Sequence, residues 1–128
     1  MKRKLTNEKG FTLLEILVAV TLLAVALLGM AGLTAALVQG NDFSSRVTTA
    51  STLAQDKMEQ VTKLGYGNTA AVDTTVTEGY NTIPNFPYYK RVTFTDVDSP
   101  SAGMKTVTVT VFWAGDTHSV APQTILTQ

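Results

Sequence analysis

Cysteine is absent from the 128 residues, which excludes any disulfide and any lipid anchor built on a cysteine. Histidine occurs once, at His118. No cysteine and no serine–histidine–acid arrangement accompanies it, so nucleophilic catalysis has no candidate group, and a polar residue at a strand end is the better reading. No glycine-rich phosphate loop follows a strand and no metal-spaced cluster stands out; neither enzymatic activity nor a cofactor is expected. A basic surplus is also missing beyond the N-terminus. From Asn41 onward there are six basic and eight acidic residues, and Lys90-Arg91 is the only basic pair. A general nucleic-acid surface needs clustered Lys and Arg, so nucleic acid is an unlikely partner. Proline is missing from Phe11 to Gly65, and between Phe11 and Val38 only Glu15 is charged.

What those absences leave is a long apolar run. About twenty such residues suffice to cross a bilayer, and the run Phe11–Val38 exceeds that. Glu15 near its start is costly in a membrane, by roughly 2.5–3.5 kcal/mol at the centre and less toward the interface. Such an acid is a functional candidate by default. The leader ahead of it carries Lys2, Arg3, Lys4 and Lys9, which the positive-inside rule keeps cytoplasmic, with the C-terminal part across the inner membrane. Two other readings of the segment stand beside this one. A secretory signal could be cut after Ala24-Val25-Ala26, although the apolar run continues well past that point. A plain single-pass anchor, carrying an extracytoplasmic binding module, would explain neither Gly10-Phe11 nor Glu15.

Lys9-Gly10-Phe11-Thr12-Leu13-Leu14-Glu15, continued by Ile16-Leu17-Val18-Ala19-Val20, resembles the class III signal of type IV pilins and of the pseudopilins of type II secretion. The resemblance implies a structural subunit. It implies cleavage by a prepilin peptidase between Gly10 and Phe11, N-methylation of Phe11, and Glu15 as the membrane-embedded acid that sets assembly register. Implied partners are the peptidase, other pilin subunits met through the N-terminal helix, and an inner-membrane assembly platform. The implied location is the inner membrane and then a filament at the cell surface or in the periplasm. Many major pilins close a C-terminal loop with a disulfide, which this chain cannot do. Leu53-Ala54-Gln55-Asp56-Lys57-Met58-Glu59, Phe112-Trp113 and His118-Ser119-Val120 are similar to minor pilins of the pilus modification or assembly type. A minor pilin is therefore the leading expectation, and a minor pseudopilin of type II secretion the alternative.

The remainder divides by pattern. Residues 1–10 form the leader, 11–40 the membrane-spanning or fibre-core helix and 41–65 an amphipathic continuation. The continuation has apolar positions at Phe43, Val47, Ala50, Leu53/Ala54, Met58, Val61 and Leu64, near the helical period. Gly65 is a natural helix stop. A helix from Phe11 to Gly65 would be about 80 Å long; Gly29, Gly32 and Gly40 are its weak points, where unwinding or close helix packing are both open. Residues 66–87 read as a connecting loop plugged by Tyr80 and Phe86, with a short edge strand possible at Val72–Val76. Residues 88–128 read as a meander of three strands: Tyr88–Thr95 with Val92 and Phe94 on one face, Met104–Trp113, and His118–Leu126 with Pro122 marking an edge or a bulge. The Val/Trp face of Met104–Trp113 is expected to pack on the Val47–Leu64 stripe. The expected class is α+β: a long spine helix on a small antiparallel three-stranded sheet, with 41–128 as one globular head. Asp96, Asp98 and Asp116 flank turns and are weak calcium candidates, without the spacing of an EF-hand loop.

Overall fold

A computed structural model describes residues 10–70 and 73–128; the leader cations Lys2, Arg3, Lys4 and Lys9, and Val72, lie outside the described residues. One helix, α1 (Leu13–Asn68), precedes five strands: β1 (Thr74–Glu78), β2 (Tyr89–Val97), β3 (Met104–Trp113), β4 (His118–Val120) and β5 (Gln123–Thr127). The class is α+β. Two compact units divide the chain at Asn41/Asp42.

The first unit is helical from Leu13 onward and long and apolar enough to cross a membrane. Its large side chains are exposed, Leu13 at 86% and Leu28 at 75%, as expected of a surface whose solvent is not water. Hydroxyls within it bond back to the helix: Thr21 Oγ1 donates to the Leu17 carbonyl at 2.6 Å and Thr34 Oγ1 to Met30 at 2.9 Å. That removes two polar groups which a bilayer would leave unsatisfied. The backbone stays helical through Gly29, Gly32 and Gly40. Non-helical dihedrals occur only at Gly65 (φ 73°, ψ 175°), a conformation reserved for glycine. One further turn, Tyr66 to Asn68, follows it, so Gly65 interrupts the helix rather than ending it.

The second unit packs the outer part of α1 against the sheet. Ala50, Leu53, Ala54 and Val61 meet Val107, Val109, Val111 and Trp113. The expected stripe holds except at its end, where Leu64 is 54% exposed. Strict alternation in β3 produces this face: every odd residue from Lys105 to Trp113 is buried. The strands run in the order β1-β2-β3-β4, all antiparallel, with β5 also pairing β3. The sheet thus has five strands, not three. The 66–87 connection supplies β1. The expected third strand is split by Pro122 without an inserted residue, since β4 and β5 share one register with β3. Val109 N donates to the Pro122 carbonyl at 3.0 Å, and proline has no N–H to return. No bulge forms; one ladder bond is missing.

On β2, Val92 and Phe94 share one face as expected, and that face is the outer one. Tyr89, Arg91, Thr93 and Thr95 point into the core, opposite Trp113, Val111, Val109 and Val107. Val92 and Phe94 share the outer face, with Phe94 41% exposed. A polar side chain on the inner face is tolerable because it is paired. Arg91 Nε and Nη2 bond both carboxylate oxygens of Glu78 at 2.6 and 2.8 Å, and Nη1 bonds the Leu53 carbonyl at 3.1 Å. Lys57 approaches the same carboxylate at 3.5 Å. This fork-to-fork pairing, the strong form of a charge-assisted bond, ties α1, β1 and β2 together. Lys105 does the same lower in the sheet. Its Nζ bonds the carbonyls of Tyr66 at 2.8 Å and Thr69 at 3.2 Å, 4.1 Å from the Tyr66 ring centroid. A cation at a helix C-terminus satisfies carbonyls that the helix leaves open. In the 66–87 connection Ile83 is the buried plug, while Phe86 only packs against the core from its margin.

Candidate processing and assembly site

Gly10 and Phe11 are exposed and precede the helix, Phe11 at 81%. Thr12 makes the transition. Its carbonyl accepts from Glu15 N at 3.1 Å and Ile16 N at 3.2 Å, while its Oγ1 accepts from Glu15 N at 3.2 Å. Thr12 is the N-cap and Glu15 the third helical residue, the arrangement of a capping box. Only half of the box is formed, and no group among the described residues bonds the Glu15 carboxylate. The Thr-x-x-Glu spacing of a capping box stands in the sequence, but the capping role of Thr12 was not among the expectations drawn from it. Glu15 shares its helix face with Thr12, Val18, Ala19 and Leu22, which line a shallow groove.

A second polar cluster sits in the globular unit. Asp116 is bonded by Lys90, and by the Tyr80 hydroxyl at 2.8 Å; its own N–H donates to Tyr80 Oη at 3.1 Å. The bond from Lys90, then that from Tyr80, lowers the Asp116 carboxyl below the ordinary carboxylate range. Burial first, then the bond to Asp116, raises the Tyr80 hydroxyl. This brace pins the turn 114–117, where Ala114, Gly115 and Asp116 all have positive φ, onto the connection between β1 and β2. Asp116 is therefore engaged by protein groups. Asp98, which accepts from Gly103 N at 3.1 Å, lies beyond the opposite end of β3, and Asp96 pairs Thr106 near that same end. Ten residues of strand, about 33 Å, separate the two ends. The three aspartates do not converge, and no group of three His, Cys, Asp or Glu suited to a metal occurs among the described residues. His118 opens β4 and is an aromatic contact: its ring lies 5.6 Å from Trp113 and 5.3 Å, edge-on, from Phe43.

Residues 5–31 match the family described as the prokaryotic N-terminal methylation motif. No curated protein and no solved structure matches the chain. The matched family is structural rather than enzymatic, and its signal implies processing by a prepilin peptidase, anchoring in a membrane and assembly with other pilins. The matched stretch contains the exposed Gly10-Phe11 bond, the Thr12 cap and Glu15, and the chain therefore carries at its N-terminus the signal shared by type IV pilins and pseudopilins.

Proposed function

We propose that this chain is a prepilin cut between Gly10 and Phe11, methylated on the new Phe11 amine and built into a type IV pilus as a minor subunit. The observation that carries the proposal is the Gly10-Phe11 bond itself, exposed and non-helical two residues ahead of a capped helix, inside the matched motif. A peptidase needs an accessible, unwound bond, and the cap at Thr12 keeps the helix from engulfing it. Cleavage creates an amine with an ordinary pKa of about 7.7–8.0, hence a cation at the head of an apolar helix. Glu15 stands one turn on, its carboxylate free of the described residues, and neutralises that amine on its own chain or on a neighbour. Removing one partner of a buried pair is strongly destabilising, so subunits held out of register are disfavoured.

Before assembly the subunit sits in the inner membrane with its head on the far side; afterwards it lies in the filament. Intact mass and N-terminal peptide mapping of the mature protein from its native host test the proposal. A chain beginning at N-methyl-Phe11 is expected. A start at Leu27, or an intact Met1, overturns it. A secretion pseudopilin would share the first terminus, and loss of pili rather than of secretion on deleting the gene is the result expected of a pilus subunit.

A further inference from the structure

We infer that the end of the globular unit carrying Phe43, Tyr88 and His118 is a seat for phospholipid headgroups, held by aromatic rings rather than by net charge. The inference rests on the membrane span alone and not on the filament role. Phe43 is 49% exposed and Tyr88 73%, an unusual pair of large rings to leave in water at one end of a small unit. They are tied to that end by contacts within it. Phe43 meets Trp113 at 6.3 Å and His118 at 5.3 Å. Tyr89, next to Tyr88, pairs with Trp113 across the ladder and donates its hydroxyl to the Arg46 carbonyl at 3.4 Å.

Chain connectivity says what covers them. Phe43 follows Val38, the last residue of the apolar run, by five residues. Even fully extended, five residues reach at most about 18 Å, and one leaflet's headgroup layer is on the order of 5–8 Å thick. Tyr88 combines an apolar body with a polar tip, the kind of ring that collects at membrane interfaces, and Phe43 adds apolar area at the same end.

The same end is balanced in charge. Arg46 bonds Asp42 at 2.9 Å and Lys90 bonds Asp116, so anionic lipid gains no net attraction here. Beside the rings a cavity of about 410 Å³ opens between Arg46, Tyr80, Tyr88 and Gly115. Its lining includes the exposed ring of Tyr88, of a kind that attracts a quaternary or primary amine, and Arg46, suited to a phosphate, the two groups of a zwitterionic headgroup.

The chain's single tryptophan, Trp113, in tilted ring contact with Phe43 and His118, is a native reporter. Full-length protein is reconstituted into phosphatidylcholine vesicles in which a fraction of the lipid carries a nitroxide on the headgroup, or midway along the acyl chain. The headgroup label is expected to quench Trp113 at least twofold more than the mid-chain label. The exposed substitutions Phe43→Ser with Tyr88→Ser should reduce that quenching at least threefold; Tyr88→Ser alone, at a position that supports no core contact, should reduce it measurably. Raising salt tenfold, or adding phosphatidylglycerol, should change it little. Equal quenching in wild type and the double variant overturns the seat, and so does quenching that salt abolishes. Quenching that falls as protein-to-lipid ratio rises would assign this end to a neighbouring subunit and overturn it as well.

Discussion

Arg91 offers the sharpest test of how the head is held. Its side chain is 8% exposed and bonds both oxygens of Glu78 and the Leu53 carbonyl. Arg91→Met removes all three bonds, leaving Glu78, 31% exposed, with only the more distant Lys57. Breaking a buried pair from one side costs about 3–5 kcal/mol; because Glu78 keeps some water and one cation, the lower end, about 3 kcal/mol, is expected. In a unit of this size 1 kcal/mol moves the midpoint by roughly 4–8 °C, so thermal unfolding should begin about 12–24 °C earlier. Full-length protein in detergent, followed through Trp113 emission, gives the midpoint. The double variant Arg91→Met with Glu78→Leu should recover most of the loss, since a well-packed apolar pair often replaces a buried ion pair at little cost. The pairing also has a pH signature. The hydrogen bond from Arg91 lowers the Glu78 carboxyl below its ordinary 4.5. The associated stability is therefore fully present above that value and is lost as pH falls through the lower folded value. A midpoint for Arg91→Met within about 1 kcal/mol of wild type, or an unchanged acid limb, would refute the reasoning.

Other substitutions probe the remaining contacts. Glu15→Ala should leave cleavage intact and reduce incorporation into filaments, measured as the ratio of filament-bound to membrane-bound mature subunit; normal incorporation would sink the pairing with the Phe11 amine. Thr12→Val removes the cap and should cost the first turn about 1 kcal/mol, seen as faster amide exchange at Glu15 while Thr12→Ser stays slow. Lys105→Met takes the cation from the Tyr66 and Thr69 carbonyls and should lower stability by about 1.5–3 kcal/mol, with exchange rising at residues 66–69. Val109→Ala, at a fully buried position, should cost about 2 kcal/mol in urea titration from the two lost methyl-sized groups and the void they leave.

The parts of the fold that were legible in sequence are those where one pattern had no rival. Met104–Trp113 alternates valine with threonine over ten residues, and its bounds and inner face follow directly from that. The helix was legible from its period, but Gly65, read as its stop, only breaks it, because one more turn follows to Asn68. β2 was legible only in part: Val92 and Phe94 do share a face, but the alternation does not say which face turns inward. Val92 and Phe94 are the more apolar set, and only the pairing of Arg91 with Glu78, on a strand hidden in a polar stretch, turns the face over. Lys105 was missed for the same reason: a buried lysine is acceptable only when its acceptors are known, and these are backbone carbonyls nearly forty residues away. At the N-terminus the motif was legible residue by residue, whereas the half-formed capping box depends on bond geometry.

The two interior cations share one property with consequences beyond this molecule. Arg91 and Lys105 both grip α1 through main-chain oxygens, those of Leu53 and Tyr66, and Lys105 also holds the carbonyl of Thr69 just past its end. Substitution alters a side chain but leaves its carbonyl in place. The outward surface of the helix can therefore diverge between sibling subunits, taking on new lateral neighbours, while the grip of the sheet on its backbone is inherited unchanged.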